Sequence, residues 1–220
     1  MIKTLKSRSP LDVVRAAACT RREMLGIAAL SGLGVWLAAC TGDPTDPTKH
    51  ATIDLRTESG ALNFAYALLQ LETDFWMRVS ANQYPGTTLA ERSAFTSYVD
   101  ETYGAREDLH ATQTQERIVD AILFRFPQVV DFSDRTSTLT NARIITDNVA
   151  LGLFTVVDAY LTTQAKLDQM APYADAALAR STTVRGFLAL PPLDPADTAP
   201  ATIMTTLEPY FQTTFTVTSA

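Results

Sequence analysis

Apolar residues return at steps of three and four through residues 61–76, Ala-Leu-Asn-Phe-Ala-Tyr-Ala-Leu-Leu-Gln-Leu-Glu-Thr-Asp-Phe-Trp. Leu62, Ala65, Leu69, Glu72 or Thr73, and Trp76 therefore share one face of a helix. That face is apolar except for the carboxylate of Glu72, which must be either a metal ligand or a buried acid with a hydrogen-bond partner. The spacing predicts a first helix over about 54–81, ended by the turn Tyr84-Pro85-Gly86. Thr88 and Glu91 have the spacing of a capping box. A second, longer helix follows, with Phe95, Val99, Thr102, Ala105, Leu109, Thr112, Glu116, Val119 and Leu123 on one stripe, and Pro127 stops it. After a crossover over 128–133, Ser133 or Asp134 caps a third helix with the inner stripe Leu139, Ala142, Thr146, Val149, Leu153, Val156 and Tyr160. Pro172, a favoured first-turn residue, opens a fourth with Ala174, Ala177, Ser181, Val184 and Leu188 on one face. Pro200 opens a short fifth helix over about 200–211, and strand-like alternation is confined to Phe215–Thr218. Four long helices and a short fifth predict an all-α, up-down four-helix bundle with a long crossover.

Charge divides the chain. Six of its 18 basic residues precede position 40, where only Asp12 and Glu23 oppose them; the remainder carries 12 basic against 22 acidic residues, a net charge of −10. A domain so acidic excludes nucleic-acid binding by phosphate neutralisation, which needs a basic face. The basic segment ends in Arg21-Arg22 and is followed by an apolar run from Met24 to Ala39, the pattern of a bacterial export signal of the twin-arginine type. The run closes on Leu37-Ala38-Ala39-Cys40, similar to a lipoprotein processing site, at which Cys40 would be acylated and become the first residue. At about 16 residues the run is short for a spanning helix, which needs about 20; an uncleaved anchor is the alternative. Either way the domain is expected outside the cytoplasm, held to a bilayer. The organisation expected is a signal over 1–39, the lipidated cysteine and a flexible tether over 40–53, a helical domain over 54–213 and a tail over 214–220. Cys19 and Cys40 both fall in or at the end of the leader, so the domain has no thiol for a disulfide, a nucleophile or a metal site.

The order of features resembles the secreted bacterial ferritin-like proteins, built on the four-helix di-iron carboxylate bundle. The residues that carry the resemblance are Leu62-Asn63-Phe64-Ala65, Leu71-Glu72 and Phe75-Trp76 in the first helix, Val130-Asp131-Phe132-Ser133 in the crossover, and Asp197-Thr198-Ala199-Pro200 with Leu207-Glu208-Pro209-Tyr210-Phe211 at the end. Together they span about 52–213. The family's chemistry takes a Glu from each of two helices and a Glu-x-x-His from each of the other two. The resemblance puts those ligand positions at Leu69 or Glu72, at Thr102 and Ala105, at Thr146, and at Ser181 and Val184. Of these only Glu72 could still ligate, so the resemblance implies a degenerate site without a cofactor, and a structural or interaction module rather than an enzyme. Without a metal, Glu72 is expected to take a hydrogen bond from Thr102, Thr146, Ser181 or an arginine entering from the surface.

One rival set exists. Glu107-Asp108-Leu109-His110 is itself a Glu-x-x-His, and Glu72, Glu107 and His110 could form a residual iron site with an oxidoreductase or storage role. With Ala105 and Leu109 inward, His110 lies about 140° and Glu107 about 200° around the helix from Ala105, so Glu107 points outward and His110 obliquely. The third and fourth helices would add only Asp147 and Asp158, neither on the inner stripe. With a single histidine in the domain proper, no nucleophile–base–acid set forms, and no glycine-rich phosphate loop is present. Phe75, Trp76, Phe124 and Phe126 are expected in the core.

Overall fold

The computed structural model describes residues 50–113, 122–194 and 198–219. These belong to the second of two units, Met1–Asp46 and Pro47–Ala220; the signal-like leader, Arg21, Arg22 and Cys40 lie outside the described residues. The described chain is mostly helical, all-α apart from one two-stranded ribbon.

Strand β1 (His50–Asp54) leads into helix α1 (Glu58–Ala81). Thr57 caps α1, its hydroxyl accepting from the Gly60 N–H. Every residue from Gly60 to Thr73 is buried, more than the single stripe expected. The cause lies in its sequence, which is apolar nearly all round over 61–71 and so needs cover on every side. That cover comes from α2 (Leu89–Thr112), α4 (Arg135–Thr155), β1 and a π-helical turn at Val156–Tyr160. The capping box of α2 forms as expected: Thr88 Oγ1 accepts from the Glu91 N–H at 3.2 Å and Glu91 Oε2 from the Thr88 N–H at 2.8 Å. The helix ends at Thr112 rather than near Pro127. Leu123 and Phe124 are not helical, because the C-terminal segment takes their backbone groups: Gln212 N–H donates to Leu123 O, Tyr210 O accepts from the Arg125 N–H, and Phe124 bridges to Phe211. Glu116 and Val119 lie outside the described residues. A short α3 (Phe126–Val129) follows, and Asp134 caps α4 through the Ser137 N–H at 2.6 Å.

Helix α5 (Gln164–Phe187) contains Pro172 instead of starting there. Its start is set from a distance. The Glu58 carboxylate accepts from the backbone N–H groups of Thr162 and Thr163 at 2.6 and 2.7 Å, so α1 supplies the cap that the local sequence lacks. Helix α6 (Pro200–Leu207) is shorter than expected, giving way before Pro209 to a 3₁₀ turn at Glu208–Tyr210. Strand β2 (Thr214–Thr218) then pairs in parallel with β1, His50 opposite Thr214 and Asp54 opposite Thr218. The boundaries expected at 53 and 214 therefore fall in paired structure: the last residues of the tether form a strand because the tail supplies its partner.

Cross-contacts give each helix its direction. Trp76 meets Phe95 and Tyr98 while Tyr66 meets His110, so α1 and α2 are antiparallel. Gly152 lies against Phe64 and Leu68, and Phe132, just before α4, against Phe75, so α1 and α4 are antiparallel. Asp147 meets Ser181 and Arg185, and Arg135 meets Phe187, which makes α4 and α5 antiparallel. Phe95 meets Phe187 and Thr112 meets Gln169, which does the same for α2 and α5. Across the ring, α1 and α5 begin together at Glu58 and Lys166, and α2 and α4 at Glu91 and Arg135. The order is thus up, down, down, up, where a plain up-down alternation would have set α2 against α4. The connection must return the length of α2, about 36 Å for its 24 residues. Its described part does so along α1, with the Ile122 N–H on Gln70 Oε1 and Phe126 on Phe75.

Candidate functional site: a buried ion cluster between the helices

Glu72 reaches the interior from α1 and is fully buried. Arg180 comes from α5 and is 3% exposed. Arg180 Nε donates to Glu72 Oε1 at 2.9 Å and Nη2 to Oε2 at 2.7 Å, a bidentate fork on a carboxylate. Trp76 Nε1, one turn on from Glu72, donates to the same Oε1 at 3.4 Å. The remaining Nη1 lies 3.5 Å from Glu101 Oε2 of α2, a carboxylate 44% exposed and steadied by the Ser97 hydroxyl. One guanidinium is thus shared by three helices. Burial works against the charge of Arg180, but the adjacent Glu72 carboxylate outweighs it and holds the group above its ordinary value. Beside the cluster, burial raises the Tyr98 hydroxyl.

A second cluster follows one residue along α5. Asp147 of α4 accepts from Ser181 Oγ at 2.5 Å and from Arg185 Nε and Nη2 at 3.0 and 2.8 Å, with Arg143 Nη1 at 3.5 Å. Asp147 was expected off the inner stripe, yet it is buried. Helix α4 packs on both α1 and α5, so its covered face is wider than one stripe and reaches the residue next to Thr146.

Leu69, Glu72, Thr102, Ala105, Thr146, Ser181 and Val184 are all buried, and the pairs Glu72–Arg180, Arg180–Glu101 and Asp147–Ser181 join the four helices at their level. The hydroxyls serve other acceptors than Glu72: Thr102 donates to Tyr98 O, Thr146 to Arg143 O and Ser181 to Asp147. Of the donors expected for Glu72, the arginine is the one used. Arg180 itself was not singled out by sequence reasoning. Its signal was a charge three residues after Ala177 and four before Val184, on an otherwise apolar stripe facing a lone Glu.

Glu107 and His110 do not join Glu72. Glu107 is exposed and pairs with Arg106 at 2.7 Å, and His110 stacks on Tyr66 with ring centroids 5.7 Å apart. Among the described residues no group of three or more His, Cys, Asp or Glu side chains could hold a metal ion. Both oxygens of Glu72 are engaged by a cation of the chain's own, so the donor set does not fit an iron pair. Phe75, Trp76 and Phe126 are core residues as expected, with Phe124 half-buried against them.

The arrangement can hold opposite charges apart from water and lock the helices it joins in register. In comparisons with family models, curated proteins and solved structures, nothing matches the chain.

Proposed function

We propose that this chain is an extracytoplasmic, lipid-anchored ferritin-like four-helix bundle that has exchanged a metal centre for an internal ion pair and acts as a structural or interaction module. The observation that carries this reading is the bidentate Arg180–Glu72 pair: a guanidinium provides the positive charge that an iron would otherwise supply to the one surviving carboxylate. The up-down-down-up order with one long connection supports the ferritin-like assignment. The paired arginines, the apolar run and Cys40 support export and acylation. The partners expected are a bilayer through acylated Cys40 and a protein of the cell envelope; the acidic surface argues against nucleic acid.

The test is the metal content of protein produced in iron-replete medium. Iron well below one per chain is expected; one or two per chain would restore the metalloprotein reading. Replacing Cys40 by Ser should leave a precursor that is neither cleaved nor lipidated, and unchanged mass and detergent partitioning would remove the anchor.

A further inference from the structure

Few of the described cations of this acidic domain lack a carboxylate partner. Among the described residues, Arg56, Arg78, Arg106, Arg135, Arg143, Lys166, Arg180 and Arg185 each pair with an acid. Arg92 rests on the Thr87 carbonyl at the surface. Arg125 is half-buried, uses Nε on Phe211 O at 2.5 Å, and has no carboxylate partner among the described residues. With 22 acidic residues after position 40, a shortage of acids is not the reason.

Arg125 lines a cleft of about 350 Å³ between α6 and β2, within the size range of small-ligand sites. Met204 and Phe211 are buried at its base, and Phe215 and Val217 of β2 form a half-buried wall. The cleft sets a single guanidinium beside the apolar patch of Met204, Phe211, Phe215 and Val217, with Thr205, Thr213, Thr214 and Thr216 also in its lining; this suits a molecule with one planar anionic head and an apolar body, since the arginine fork matches a carboxylate. Glu208, exposed on the rim, would repel a second negative charge and so disfavours dicarboxylates.

We propose that this cleft binds a small aliphatic monocarboxylate, a medium-chain fatty acid, with its head on Arg125 and its chain against Met204, Phe211, Phe215 and Val217. The inference is independent of the Arg180 cluster, so its failure leaves the proposed function untouched. The experiment titrates the full-length chain, labelled at its methionine methyl groups, with octanoate and in parallel with 1-octanol, following Met204 by NMR. Octanoate is expected to shift Met204 saturably and to bind about tenfold or more tighter than 1-octanol, the loss expected when a charged hydrogen-bond partner is removed. Arg125→Gln should weaken octanoate by a similar factor, Arg125→Lys should retain most of the affinity, and Glu208→Gln should tighten it. No saturable shift at up to about 10 mM octanoate, weaker than useful recognition, overturns the proposal, as does 1-octanol binding equally well. If Arg125→Gln loses its helical circular dichroism, the octanoate-to-octanol ratio on the unaltered chain decides alone.

Discussion

Arg180 is tolerable in the interior only because Glu72 is there, and the converse holds equally. Replacing a buried pair by apolar side chains of similar volume is often neutral or stabilising, whereas removing one member strands a charge. Arg180→Met is therefore expected to cost about 3–5 kcal/mol, and Glu72→Met with Arg180→Met together far less. Urea unfolding of both variants measures the difference, and equal costs would mean that the two residues are not coupled. Trp76, the one tryptophan after position 40, donates to Glu72 and reports the cluster by fluorescence. A second residue sits against its own preference. Ala189, just past α5, has φ 55° and donates its N–H to Gly186 O, while Leu190 donates to Arg185 O. This left-handed turn closes the helix, and glycine takes it without the Cβ clash. Ala189→Gly should stabilise the fold by about 0.5–1 kcal/mol after its extra unfolded-state entropy is subtracted; a lowered thermal midpoint would contradict that.

At the scale of elements, the start of α5 belongs to α1. The backbone N–H of Thr162, then Lys166 and Thr163, hold the Glu58 carboxyl below the usual carboxylate range, and hydrogen bonds from Arg56 hold Asp54 at about 2. In the unfolded chain such groups titrate near 4. A depressed folded value means stability that is complete above the unfolded value and lost as pH falls from about 4 toward 2. Glu58→Gln should flatten this acid limb in urea midpoints taken at successive pH values; an unchanged limb would show that the cap does not titrate with folding. The same cap explains what was legible beforehand. Periodicity and local caps revealed the body and end of α1 and the starts of α2 and α4, because their signals lie within a few residues. The start of α5, the non-helical course of Leu123 and Phe124 and strand β1 depend on partners about 90 to 160 residues away, and no local pattern contains them. The centre divides in the same way: Glu72 stood out as one acid on an apolar stripe, whereas Arg180 and Asp147 became part of it only through the packing of α5 against three other helices.

For the molecule as a whole, the parallel ribbon ties the first described residues to the last. Ile53 is fully buried and Leu55 nearly so, with the Leu55 N–H on Thr218 O. Ending the chain after Thr213 removes β2 and uncovers β1, at an expected cost of about 2–4 kcal/mol from the apolar area exposed. Limited proteolysis ahead of α1 should then become faster, and an unchanged rate would mean that the ribbon adds nothing to the fold. The pairing also has a consequence in time. During synthesis at about 5–20 residues per second, β1 leaves the ribosome roughly 10–30 s before the strand that completes it. The ribbon is therefore the last part of the described fold that can form, and a nascent chain passed across a membrane segment by segment would expose Ile53 and Leu55 for that interval. A pathway that waits for the finished chain spares it that exposure.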